Sequence, residues 1–181
     1  MEMNTSVRIT LHEMLKDRGY NKIECETNER IVASKDENTF LLIYFVYDFK
    51  VSVKRMKSIK ELLDDDPQKY ECLILVYKSA ITAFAKQFIS NDVNDLLVQV
   101  FSENELSFNI TKHELVPKHE LLTIEEKKQI LKIYKTSSNH FPIILASDPV
   151  ARYYGLLPGS MVRITRPSVT AKIYISYRVV A

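Results

Sequence analysis

The stretch "SDPVARYYGLLPGSMVRITRPSVTAKIYISYRVV", Ser147–Val180, sets five basic residues, Arg152, Arg163, Arg166, Lys172 and Arg178, against one acid, Asp148. Its punctuation gives the local structure. Asp148 followed by Pro149 reads as a helix N-cap with proline at the first helical position, and Gly155 ends that helix two turns later. Pro158 and Gly159 make a turn. "MVRITR" then reads as a strand, "PSVTA" as a connection and "KIYISYRVV" as a terminal strand. By the two-residue period, that strand sets Ile173, Ile175, Tyr177 and Val179 on one face and Lys172, Tyr174, Ser176 and Arg178 on the other. Arginine grips carboxylate or phosphate bidentately, and tyrosine stacks or donates a hydrogen bond. The basic face therefore suits a partner that offers carboxylate or phosphate. A plain solvated sheet face fits the same pattern, which does not separate the two.

Working upstream, Thr123 with Glu126 three residues on forms a capping box that opens a helix over Ile124–Tyr134. "LSFNI" (106–110) reads as a strand. "HELVPKHELL" (113–122) reads as an irregular basic segment in which Pro117 prevents regular pairing. Residues 106–181 thus predict a small α+β module, with the boundary at Ser102–Leu106, where the apolar pattern breaks.

The front part, residues 1–105, alternates helix and strand signals and predicts an α/β domain with a mixed sheet. Thr5 or Ser6 is the expected N-cap of a first helix that buries Val7, Leu11, Met14 and Leu15. Strands are expected over 21–26, 30–34, Thr39–Asp48, Val51 to Val53, Glu71–Tyr77 and Asp95–Phe101. Helices are expected over Lys54–Asp66, with Met56, Ile59, Leu62 and Leu63 inward, and over Ala80–Ile89. The near-continuous apolarity of "TFLLIYFVYD" marks a strand buried on both faces. The fold class overall is α+β.

Composition narrows the function. The chain has 181 residues, 46% hydrophobic and 27% charged, and a net charge of +2 that divides into −4 over residues 1–105 and +6 over 106–181. A basic module of this kind suits acidic protein surfaces or nucleic acid. The longest apolar run, Phe40–Tyr47, is too short for a membrane helix, and "MEMNTSVRIT" lacks the regions of a signal peptide, so no membrane partner is expected. Cys25 and Cys72 lie apart without metal spacing, which suits a reducing compartment. Three glycines leave no phosphate-binding loop, four scattered histidines match no zinc pattern, and no nucleophile elbow occurs. Neither cofactor, metal nor catalytic residue is expected. The one catalytic pattern worth naming is nuclease-like: Asp48 and Lys50 follow a buried strand, but the second acid that such sites use is absent. "ELLDDDP" (61–67) points its carboxylates in different directions and reads as a solvated helix end.

"HELVPKH" (113–119), the Thr-x-Glu-Glu opening (123–126), "DPVARYYG" (148–155), "PG" (158–159) and "RPS-x-TA" (166–171) resemble, in order, the C-terminal signature of the fifth common subunit of the eukaryotic nuclear RNA polymerases. That family has a counterpart in the archaeal RNA polymerase. The front part resembles the family's amino-terminal jaw domain more thinly, through "LKDRGY" (15–20), "KVSVKRMK" (50–57) and "AITAFAKQ" (80–87). The resemblance implies a non-catalytic subunit of a multisubunit DNA-directed RNA polymerase. Its assembly module, 106–181, would dock on the largest subunit through Asp148, Pro149, Arg152, Tyr153, Arg166, Pro167, Thr170, Tyr177 and Arg178, with Asp148 and Pro149 shaping the backbone. Its jaw-like domain, 1–105, would lie near downstream duplex DNA, with Thr82 and Lys86 closest. The family's Thr-Pro-Ser-Ala is here Thr82-Ala83-Phe84-Ala85, and the front part is shorter than in typical members. The implied location is the nucleus for a cellular protein, or a virus factory or virion for a viral one. The competing function class is a free-standing DNA-binding or nuclease-like protein, whose duplex affinity would fall linearly with log salt.

Overall fold

In the computed structural model, which describes residues 4–36, 38–66, 69–92, 96–168 and 170–181, with 90–92 by backbone alone, Asn4 caps the first helix in place of Thr5 or Ser6. The Asn4 side chain accepts from the Ser6 amide at 3.3 Å, which satisfies one of the orphan donors of α1 (Thr5–Asp17). Val7, Leu11, Met14 and Leu15 are buried, as their helical spacing requires.

The chain separates into two compact units, Met1–Phe108 and Asn109–Ala181. In the first unit, β1 (Lys22–Glu26), β2 (Arg30–Asp36) and β3 (Thr39–Val46) form an antiparallel meander. β4 (Lys50–Val51) leads into α2 (Val53–Asp64), and β5 (Tyr70–Tyr77) returns parallel to β3. β6 (Ala80–Ile81), α3 (Ala83–Asp92) and β7 (Leu97–Ser102) repeat the crossover. The sheet order β1-β2-β3-β5-β7 is therefore mixed. Leu41–Val46 are buried throughout, because β3 is central and both of its faces are covered. Leu42, Tyr44 and Val46 join Met56 and Ile59 of α2 and Ala85 of α3 in one core. The other face carries Phe45, over whose ring the Arg8 guanidinium of α1 lies at 5.3 Å.

Several local expectations change. Val53 does not extend a strand; Ser52 accepts from the Arg55 amide and caps a helix that begins at Val53. Leu62 turns outward, because only Met56 and Ile59 of α2 reach full burial. Ala80 and Ile81 belong to a parallel pair with β4 in place of a helix start. Pro67 and the Asp95 strand start lie outside the described residues. "LSFNI" is not a strand: successive turns at Ser102–Ser107 and an Asn109 cap, whose side chain accepts from the Thr111 amide, hold it in loops.

The second unit is a four-stranded sheet between two helices. Its elements are β8 (Lys118–Leu121), α4 (Ile124–Tyr134), β9 (Ile143–Ile144), α5 (Pro149–Tyr154), β10 (Met161–Ser168) and β11 (Lys172–Val180), in sheet order β8-β10-β11-β9. Residues 118–121, expected to be irregular, pair antiparallel with β10, since Pro117 precedes the strand and leaves every donor within it intact. The capping box is complete: Thr123 Oγ1 accepts from the Glu126 amide, and the Glu126 carboxylate accepts from the Thr123 amide at 2.8 Å. Asp148 accepts from the Val150 and Ala151 amides, and Gly155 ends α5 in the left-handed region at φ 64°.

Candidate docking site

The terminal hairpin outreaches the sheet that supports it. β10 and β11 pair one to one from Met161↔Val179 to Ser168↔Lys172, but β8 covers only Val162–Thr165 and β9 only Val179 and Val180. Beyond those points the hairpin is a two-stranded arm. At its base, Met161, Tyr177 and Val179 pack against Leu122, Ile130, Leu131 and Phe141 on one face. Val162, Ile164 and Val180 pack against Ile144, Ala151 and Leu156 on the other. Each such aliphatic side chain, fully buried, contributes roughly 1.5–3 kcal/mol, so the base is well anchored.

Toward the tip neither helix follows. Ile173 is 60% exposed and Ile175 47%, so burial does not alternate along β11 as its sequence does. Ile173 faces Pro167 across the strands and Ile175 faces Thr165, giving an apolar face. The opposite face carries Arg166, Lys172, Tyr174 and Ser176. The arm is thus apolar on one side and basic on the other.

The arginines divide by their partners. Arg163 is engaged within the unit, 3.7 Å from Glu120 and 3.6 Å from Glu126. The Thr123 amide bond and, less strongly, Arg163 hold the Glu126 carboxyl below its ordinary value of 4.5. Arg178 donates through Nη1 to the Ile143 carbonyl at 3.2 Å and so ties β11 to β9. Arg166 and Lys172 are exposed and form no ion pair among the described residues.

The site residues expected from the sequence are scattered. Arg166, Pro167 and Thr170 sit together at the exposed tip. Tyr177 lies at the arm's base in an edge-on aromatic trio with Tyr134 and Phe141. Asp148 and Pro149 open α5 and shape backbone. Arg152 lies half-buried on the same helix. Tyr153 is 3% exposed, and its hydroxyl accepts from Asn109 Nδ2 at 2.9 Å, so it supports the unit from inside instead of presenting a surface. Ile173 and Ile175 were not singled out as site residues; the signal was present in the alternation of β11 but needed the lengths of β8 and β9 to become legible.

In the first unit, Thr82 Oγ1 caps α3 by accepting from the Ala85 amide at 3.1 Å, and Lys86 is exposed one turn on. The β4–β6 pair brings this start beside that of α2, where Lys50, Lys54 and Lys78 are also exposed. Phe49 and Phe84 stand out at 88% and 74% exposure. Asp48, the acid of the nuclease-like pattern, lies 3.3 Å from Arg55, which also reaches the Tyr44 hydroxyl.

Comparison with known proteins bears on this arm. The family model described as RNA polymerase Rpb5, C-terminal domain, matches residues 108–180. The chain is 36% identical over 173 residues to the DNA-directed RNA polymerases I, II, and III subunit RPABC1 of Caenorhabditis briggsae, spanning 94% of this chain and 81% of that one. It is 38% identical over 187 residues to the subunit rpabc1 of Dictyostelium discoideum, spanning 95% and 94%. It is 34% identical over 195 residues to DNA-directed RNA polymerase subunit 5-like protein 1 of Arabidopsis thaliana, spanning 95% and 92%.

Proposed function

The chain belongs to the Rpb5 family of RNA polymerase subunits, and from that premise we propose that it is a non-catalytic subunit of a nuclear DNA-directed RNA polymerase, docked on the largest subunit through Asn109–Ala181. The observation that carries the docking reading is the two-faced arm. An isolated arm that exposes Ile173 and Ile175 gains stability when a partner covers it, and its basic face selects an acidic one. Arg166, Pro167 and Thr170 at the tip would touch the partner directly. Tyr177 and Arg178 would fix the arm's base, while Asp148, Pro149, Arg152 and Tyr153 hold α5 beneath it. Nucleotide addition then belongs to other chains of the assembly. Relatives named as subunits of polymerases I, II and III support a nuclear location.

Met1–Phe108 takes the jaw-like role, with Thr82 and Lys86 nearest duplex DNA. The support is chemical: Lys50, Lys54, Lys78 and Lys86 are exposed around the adjoining starts of α2 and α3, where backbone amides and helix dipoles favour phosphate.

Affinity purification of the tagged full chain from its source tests the assignment. Recovery of the largest polymerase subunit after a high-salt wash is the expected result. Recovery of no polymerase subunit would overturn it.

A further inference from the structure

The direction of the backbone groups along β11 identifies how a partner binds the arm. The Val180 amide donates inward to the Ser160 carbonyl, while the Val179 and Ala181 amides turn outward to Pro142 and Ile144. The β10–β11 register is unbroken, so even-numbered residues of β11 bond to β10 and the backbone groups of Ile173, Ile175 and Tyr177 point to the outer edge. The Ile173 amide is occupied by the Ala171 carbonyl. Four groups on that edge remain without a backbone partner among the described residues: the amides of Ile175 and Tyr177 and the carbonyls of Ile173 and Ile175.

The Tyr177 carbonyl makes a fifth, for a definite reason. A parallel ladder between β9 and β11 would continue with a donor at residue 142, and Pro142 has no N–H. Pairing with β9 therefore stops at Val179, and an edge of five residues, about 17 Å, stays open.

The other edge of the arm is treated differently. β8 covers β10 up to Thr165, and the next outward-facing position is Pro167, which offers no donor. Proteins blunt exposed strand edges in this way to prevent unwanted pairing. The β11 edge has no proline, no bulge and no covering strand among the described residues, and it includes the β-branched Ile173 and Ile175. One edge is closed and its neighbour is kept open.

We infer that the partner adds a β-strand to the outer edge of β11 across Ile173–Tyr177, in line with β9, and that this strand alternates apolar and acidic residues. Its apolar side chains extend the Pro167, Ile173 and Ile175 face, and its acidic ones meet Arg166 and Lys172 on the other face. Backbone bonds supply affinity, and the two faces set register and choice of segment. The inference rests on the docking reading above and adds its geometry and the chemistry of the docked segment.

Amide hydrogen exchange on the full chain, free and in complex with the largest subunit of its own polymerase, tests it. Strand addition slows exchange at Ile175 and Tyr177 by about tenfold or more on binding, because in the free chain neither amide has a backbone partner among the described residues. Ile175→Pro, which removes an outward donor and no bond to β10, abolishes the complex, whereas Ile175→Val, which keeps donor and apolar face, retains it. A complex that forms without protecting these amides overturns strand addition while leaving docking intact. Failure of the wild-type chain to form any complex overturns the docking reading and this inference with it.

Discussion

Asn109 Nδ2 donates to the Tyr153 hydroxyl at 2.9 Å, fastening the first residue of the C-terminal unit to its short helix α5. The same Asn109 accepts from the Thr111 amide, so one side chain shapes the entry to the unit and braces the helix.

Tyr153→Phe therefore weakens the C-terminal unit by about 1 kcal/mol, the usual net value of one hydrogen bond, without altering its surface. Chemical denaturation reads the loss. Polymerase binding well below the unfolding transition stays unchanged, because Tyr153 is buried; a binding defect in a fully folded variant would instead assign it a surface role.

Asp148 offers the second prediction. Its carboxylate satisfies two amides at the start of a six-residue helix that Ala151 packs into the core. Asp148→Ala costs about 1 kcal/mol, and Asp148→Asn recovers most of it because the amide oxygen still accepts. Thermal unfolding of the three proteins tests the order.

Glu126 links stability to acid. Its carboxyl titrates below the ordinary value because the folded state offers the ionised form the Thr123 amide. A depressed folded value means that the contribution is complete above the unfolded value near 4.5 and is lost as pH falls through the folded one. Glu126→Gln removes this component, so the difference in unfolding free energy between wild type and variant shrinks as pH drops below about 4.5. A difference constant with pH would show that the capping box contributes nothing through charge.

Tyr70 behaves in the opposite sense. Burial, then its hydroxyl's bond to Asp66 at 2.8 Å, pushes the phenol from 10.0 to about 12. Its contribution is complete below pH 10 and is lost as pH rises through about 12. Tyr70→Phe lacks that alkaline loss, which denaturation of both proteins across this range would reveal.

The features that local chemistry dictates were legible in the sequence. The Thr123–Glu126 box, the Asp148–Pro149 start and Gly155 stop, and the buried run of β3 each depend on residues adjacent in the chain, and all are present in the fold. What escaped depends on residues far apart. Val53 alternates with Val51 like a strand, but Ser52 can cap a helix and tertiary packing favoured that use. Leu62 stands three residues from Ile59, but its neighbour Leu63 takes the inward position and leaves Leu62 exposed. The terminal hairpin shows the limit best. Arg166 and Pro167 were visible as motif residues, yet the exposure of Ile173 and Ile175 follows from β8 and β9 being too short to accompany the hairpin, and β9 is short on its outer side because of Pro142.

One binding measurement decides whether the basic and apolar arm holds this chain to its polymerase. The full chain and its Arg166→Glu/Lys172→Glu variant, each shown to be folded, are titrated against the largest subunit at fixed salt. The variant is expected to bind about tenfold more weakly or worse, since two lost attractions become repulsions at the contact. Equal affinity of the two proteins would contradict it and move the interface off the arm.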